Sequence, residues 1–196
     1  MGRARRFDES NLLAAATELF WSNGYDNTSV EDVSVATGVG NGSIYAAYGN
    51  KKGLFLAAFD RYCEARAQFV RTTIESAPGT ARTAVRTLLK AVVDDCAAQP
   101  HRRGCLMINS VAHLATRIPE VATTAARTTA AMESAVATRL RPAARDLTEA
   151  ELSALSANIV LVSQGLIQLS RLNTPPARLA ATAEVTCASL PAWADR

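Results

Sequence analysis

The 196-residue sequence has little of what catalysis usually needs. It has two histidines, His101 and His113, and neither stands beside an obvious nucleophile; no GxSxG, HExxH or nucleotide-binding glycine loop is spelled out. An enzyme with a helical body is therefore the weakest reading, and no cofactor is expected. His101 and Cys105 lie four apart, but two ligands do not make a metal site. The cysteines, Cys63, Cys96, Cys105 and Cys187, are far apart without a CxxC, which excludes a zinc knuckle and a disulfide framework and predicts reduced, buried thiols. No apolar stretch follows MGRARR to serve as a secretory leader, and Arg6 stands where a myristoylation motif wants Ser or Thr. No run approaches the roughly 18 apolar residues of a membrane span, so a cytoplasmic protein without a membrane partner is expected. Charge of one sign is lacking too. With 21 basic and 18 acidic residues the net charge is +3, too small to demand an anionic partner by itself.

Strand signals are almost absent, whereas helix signals recur about every 20 residues, which predicts an all-α chain of about nine helices. Asp8 can cap a first helix, with Phe7 and Leu12 as a hydrophobic staple and Gly24 as its stop. Thr28 and Glu31 have the spacing of a capping box for a second, ended by Gly38. A third, about Asn41 to Tyr48, buries Ile44 and Tyr48. From Lys51 a long helix carries Phe55, Phe59, Tyr62, Phe69 and Thr73 on one side and stops at Pro78-Gly79. Shorter apolar helices follow up to Pro100, from Leu106 to Leu114, and over 121–140. The stretch 149–172 is the most regular, with Leu152, Leu155, Ile159, Val162, Leu166 and Leu169 alternating spacings of three and four, and a second stripe through Val160 and Ile167. Pro175-Pro176 starts a last helix bearing Leu179, Ala183, Thr186 and Leu190.

Five glycines, at 38, 40, 42, 49 and 53, crowd the segment between the second helix and the long one. A phosphate loop would need a strand before it. A turn between two short helices fits better: Gly38 supplies a left-handed end, and Gly40 and Gly42 would let the next helix approach another backbone closely. That is a helix-turn-helix, whose second helix lies in the DNA major groove.

Residues 8–56 resemble the DNA-binding head of TetR-type (tetracycline-repressor-like) bacterial transcription regulators. The similarity rests on "AAATELFWSNGYDNTSVEDVSVATGVGNGSIYAAYGNKKGLF": a first helix ending in Phe, a Gly-aromatic pair, Thr-Ser-Val, a Gly-Val turn, an Ile-Tyr pair and a following Lys. In the body, "RGCLMINS" and "QGLIQLSR" resemble one of the family's subgroups. The resemblance implies an N-terminal arm and three-helix DNA-binding head over 1–52 and a helical effector-binding and dimerisation body over 53–196. It places Thr28 and Lys51 on phosphates, Tyr45 on a phosphate or base edge, Asn41 and Ser43 on base edges, and Gly42, Ala46 and Ala47 along the same helix. Packing on the first helix is the other reading of Tyr45, and Tyr48 reads as core. Two features depart from the pattern. Gly40 stands where relatives often have Ser, and residues 1–56 hold five basic against six acidic side chains. Attraction to DNA must then come from placement, with Arg5 and Arg6 of the arm in a minor groove, unless the arm is merely solvated.

A two-fold DNA site calls for a homodimer, and the resemblance implies an interface on the last two helices: Leu155, Ile159, Val162, Leu166, Leu169, Leu179, Ala183 and Leu190. Intramolecular core is the competing reading of these residues. It also implies a small-molecule effector inside the body, among Phe59, Tyr62, Cys63, Phe69, Met107, Asn109, His113, Met132, Gln164 and Gln168. Asn109, His113 and Gln168 are the telling members, because burying them without partners is costly; a satisfied core histidine remains the other reading of His113. The function so expected is a repressor released from a palindromic operator by an apolar or amphipathic ligand. A thiol redox sensor using Cys63 or Cys105 is the alternative.

Overall fold

The structure is a computed structural model that describes residues 7–99 and 101–195. Among these residues it contains nine α-helices and no strand: α1 (Glu9–Asn23), α2 (Val30–Thr37), α3 (Asn41–Tyr48), α4 (Lys51–Ser76), α5 (Ala81–Ala98), α6 (Leu106–Leu114), α7 (Pro119–Leu140), α8 (Glu149–Arg171) and α9 (Pro176–Ala188). A 3-10 turn at Ala192–Asp195 closes the chain.

The head is built on α1. Asp8 caps it by accepting the Ser10 and Asn11 amides at 2.9 and 3.2 Å, and Leu12, Ala16 and Phe20 bury one face in the core that also holds Val33, Ile44 and Phe55. Phe20 and Phe55 meet edge to face with centroids 5.1 Å apart. The N-terminus of α2 lies one residue later than the Thr28–Glu31 spacing predicts. Its capping box is Ser29 with Asp32: the Ser29 hydroxyl accepts the Asp32 amide at 3.0 Å, and the Asp32 carboxylate accepts the Ser29 amide at 2.6 Å. The reason is that Thr28 is buried, its hydroxyl donating to the carbonyls of Leu19 and Gly24 at 3.2 and 2.8 Å. Thr28 thus ties the turn to α1.

Gly38 has the left-handed φ of +70° expected of the turn. The close backbone approach expected at Gly40 and Gly42 is absent, since a Cβ on either would meet nothing within 4 Å. It occurs at Gly53, where a Cβ would lie 2.0 Å from the Tyr48 carbonyl oxygen. This glycine lets α4 start directly beneath the end of α3.

α4 begins in the head and runs unbroken into the body, so residues 52 and 53 fall in its first turn. Its inward face ends in Val70 and Ile74. Phe69 and Thr73, expected there, are only half-buried, and Phe69 stacks beneath the Arg66 guanidinium at 4.7 Å. The body packs α4 on α7 and α5, with α8 against α5, α7 and α9. By length and composition α8 is apolar enough to cross a membrane, contrary to the expectation above; here it is a body helix that buries Leu152, Ile159, Val160, Leu166 and Ile167. The end of the chain, which no sequence signal marked, is pinned by Arg82: its guanidinium pairs with Asp195 at 2.6 Å and donates to the Leu190 carbonyl at 2.9 Å. Trp193 is buried beside it.

Candidate functional site

α3 is held by very little and shows most of itself. Ile44 is its one buried side chain, and Tyr48 adds a hydrogen bond from its hydroxyl to Glu9 of α1 at 3.1 Å. These two contacts fix the rotation of the helix. Asn41, Gly42, Ser43, Tyr45 and Ala46 consequently face solvent, with Tyr45 50% exposed, while Ala47 is half-buried. Tyr45 therefore points outward, and Tyr48, expected to be buried, is half-buried against the core. The helix lacks a side-chain cap, because Gly40 occupies the N-cap position. Its first amides are left open to solvent or to an anion. On α2, Val35 is 80% exposed, an apolar residue on the head's surface that the sequence reading passed over.

Two of the expected phosphate contacts change. Thr28 is corrected outright: both its burial and its two carbonyl partners remove the hydroxyl from any ligand. Lys51 lies at the start of α4 as expected, with its ammonium donating to the Asp26 carbonyl at 3.2 Å and 4.6 Å above the Tyr25 ring. An ammonium has three donors, so this anchoring leaves capacity for a phosphate. Arg5 and Arg6 lie outside the described residues.

The head's excess of acid also finds its explanation. Asp8 and Asp32 are helix caps, Glu9 accepts from Tyr48, and two more acids are matched by arginines of the body. Glu18 pairs with Arg103, whose guanidinium also lies 3.9 Å over the Trp21 ring, and Asp26 accepts two hydrogen bonds from Arg117 at 2.9 and 2.7 Å. These guanidiniums hold both carboxyls below the usual range. Lys52 pairs with Glu120 across the same junction at 2.7 Å. Sequence alone gives no signal for these pairs, since the partners are 68 to 91 residues apart.

The ten residues expected to line one effector pocket are divided among several places. Phe59, Cys63, Met107 and Met132 are packed into the core. Phe69, Gln164 and Gln168 are half-buried on α4 and α8. Tyr62 borders a small cavity of ≈ 20 Å³ together with Trp21, Arg66 and Cys105, its hydroxyl donating to the Cys105 sulfur at 3.4 Å. Such a void has room for about one water. Asn109 and His113 leave the body's interior altogether and border an open cleft between α1 and α6, so His113 is not a core histidine. All four cysteines are buried, and burial pushes the Cys63 thiol up to about 12. That leaves almost no thiolate at neutral pH and disfavours Cys63 as a redox sensor.

The interface residues need the largest correction. Ile159, Leu166, Leu179, Ala183 and Leu190 are buried within the single chain, where they join α8 and α9 to the body, and Leu155 and Val162 are half-buried. Of the eight, only Leu169 remains exposed. Besides Leu169, the large apolar residues left outside on and beside α8 and α9 are Leu161 at 64%, Leu172 at 75% and Val185 at 70%. Leu161 and Leu172 belong to a stripe with Ala154, Gly165 and Gln168 at spacings of three, four and seven, which was available to sequence reasoning.

Comparison with known proteins agrees with this architecture. Residues 12–58 match the family described as bacterial regulatory proteins, tetR family. The HTH-type transcriptional repressor ComR of Escherichia coli (strain K12) is 32% identical over 123 residues, which span 63% of this chain and 59% of ComR, less than two thirds of that relative. A cysteine-substituted form of the TetR-family regulator CifR, solved with a 26-base-pair double-stranded operator DNA, superimposes with a TM-score of 0.80 at 27% identity, covering 96% of this chain and all of that one. A TetR transcriptional regulator from Rhodococcus sp. RHA1 is 30% identical, with a TM-score of 0.58 over 94% of this chain and 99% of its own. The helix-turn-helix head, the long connecting helix and the helical body thus recur together in the two solved structures, and the chain belongs to the TetR family of bacterial transcription regulators.

Proposed function

We propose that the protein is a homodimeric repressor that binds a palindromic operator through α3 and is released from it by a small apolar or amphipathic ligand. The observation that carries the DNA reading is the outward face of α3, where Asn41, Ser43 and Tyr45 stand exposed on a helix whose rotation Ile44 and Tyr48 fix. Asn41 and Ser43 would hydrogen-bond base edges, Ala46 would touch a thymine methyl, and Tyr45 and Lys51 would hold phosphates. ComR's designation as a repressor and the operator-bound state of CifR support the same reading.

Two reading helices must lie about 34 to 36 Å apart, or a multiple of that, to enter successive major grooves, so the subunits must pair. The apolar outer stripe of α8, with Leu172 and Val185, is the surface offered for it. The ligand would act by widening the packing around the ≈ 20 Å³ void, because a drug-sized molecule needs roughly 300 Å³ or more. A ligand that binds only the opened body shifts the population toward it, and the head spacing with it.

Selection of bound duplexes from a random pool is expected to return an inverted repeat. Against that repeat, Tyr45→Ala and Lys51→Ala are each expected to weaken binding by about 1–3 kcal/mol, roughly ten- to a hundredfold, with the melting temperature unchanged for Tyr45→Ala and slightly lowered for Lys51→Ala, which also loses its contacts to Asp26 and Tyr25. Wild-type affinity in both variants would overturn the docking.

A further inference from the structure

We propose that the cleft between the end of α1 and α6 is a binding site for a small organic anion, a carboxylate carried on an aromatic or aliphatic body. The cleft measures ≈ 380 Å³, within the size range of small-molecule sites, and lies between head and body, outside the interior packing invoked above. Trp21 and Tyr25, both half-buried, provide apolar walls on the α1 side, and Asn109, His113, Arg117 and Arg171 provide the polar rim.

Arg171 is the group that selects the charge. Around this junction Arg66, Arg103 and Arg117 are each paired with a carboxylate, respectively Asp95, Glu18 and Asp26. Arg171 has no ion-pair partner among the described residues. One of its nitrogens donates instead to the Asn109 side-chain oxygen at 2.8 Å, and the Asn109 amide nitrogen is fixed in turn by the Arg103 carbonyl at 2.9 Å. Its stem passes over Gly104, where a Cβ would lie 3.2 Å from the Arg171 Cδ; Gly104 also has a φ of +75°. The guanidinium is therefore held through one nitrogen by a neutral amide, with no described acid paired to it and donors left over for a ligand. Asp26, which also lines the cleft, has both oxygens engaged by Arg117, so it opposes an entering anion less than a bare carboxylate would. A carboxylate on Arg171 would leave its apolar body against Trp21 and Tyr25.

The test is titration of the full-length protein, without DNA, with benzoate and octanoate and with their neutral counterparts benzamide and octanamide. One saturable site per chain is expected for a carboxylate, with the matching amide about tenfold or more weaker. Arg171→Gln is expected to weaken the carboxylate by a similar factor while leaving the unliganded melting temperature in place, because the side chain is exposed. In a Trp193→Phe background the remaining tryptophan, Trp21, reports locally, and its emission is expected to follow the same isotherm. No saturable carboxylate binding, equal binding of acid and amide, full affinity in Arg171→Gln, or a silent Trp21 would each overturn the assignment. None of these readouts depends on operator binding, so this site and the repressor reading fail separately.

Discussion

α3 and α8 turn their outer faces to solvent by opposite constructions. α3 buries one side chain, Ile44, and leaves small and polar residues outside. α8 buries Leu152, Ile159, Val160, Leu166 and Ile167, yet still carries Leu161 on the far side, with Leu172 immediately beyond its end and Val185 exposed on α9. Apolar surface left in water on α8 and α9 gains by association, whereas the face of α3 gains little until it meets donors, acceptors and phosphates. Under the proposed function, the first surface would meet a copy of the same chain and the second a nucleic acid.

The largest expected effect comes from breaking that contrast. Leu161→Arg with Val185→Arg would place charge on the outer stripe while leaving the inner packing untouched. The variant is expected to sediment as a folded monomer, and loss of the second head is expected to lower operator affinity by roughly 10²- to 10⁴-fold. A dimer that survives both substitutions would move the interface elsewhere.

A second comparison separates the two sides of α8 directly. Leu166→Ala, on the buried side, is expected to cost about 2–5 kcal/mol of unfolding free energy in urea, the loss typical of a filled core position. Leu161→Ala, measured in a Val185→Arg background where position 161 is still leucine, is expected to stay within about 0.5 kcal/mol of its parent. Equal losses would mean that the outer stripe is not a separate surface.

The same contrast explains what could be read beforehand. α3 has one large aliphatic residue, so its orientation followed from the position of Ile44, and of the residues expected on its outer face all but Ala47 are exposed. α8 has apolar residues on two sides, and periodicity alone cannot tell which side meets the body and which meets a partner. The most regular seam, through Ile159 and Leu166, was assigned to the partner and proved to be the core. Helix ends were legible where glycine or proline marked them, as at Gly24, Gly38 and Pro176. The α2 cap was displaced because a buried tertiary role, Thr28 bonding to α1, overrides a local spacing. Asn109 and His113 were singled out as polar residues buried in the body, whereas they border the open cleft between α1 and α6, which no local pattern in the sequence reveals. Arg103, Arg117 and Arg171 carried no local signal, because each acquires its role from a residue far away in the chain.

The smallest expected effect concerns the junction between the two regions. Glu18 is held below its ordinary value of 4.5 chiefly by the hydrogen bond from Arg103. A carboxyl whose folded value is depressed contributes stability above its unfolded value and loses that contribution as pH falls through the folded one. The Arg103–Glu18 pair therefore works fully at neutral pH and fades as the solution is taken below about pH 4.5. Since Glu18 is largely exposed, salt and water screen the pair, and the change is expected to be a modest drop in melting temperature that is clearest at low ionic strength. Glu18→Gln keeps an acceptor and removes the charge, so its melting temperature is expected to vary less than wild type between about pH 6 and pH 3. Parallel curves for the two proteins would mean that Arg103 holds the head through its stacking on Trp21, and that the carboxylate merely accompanies it.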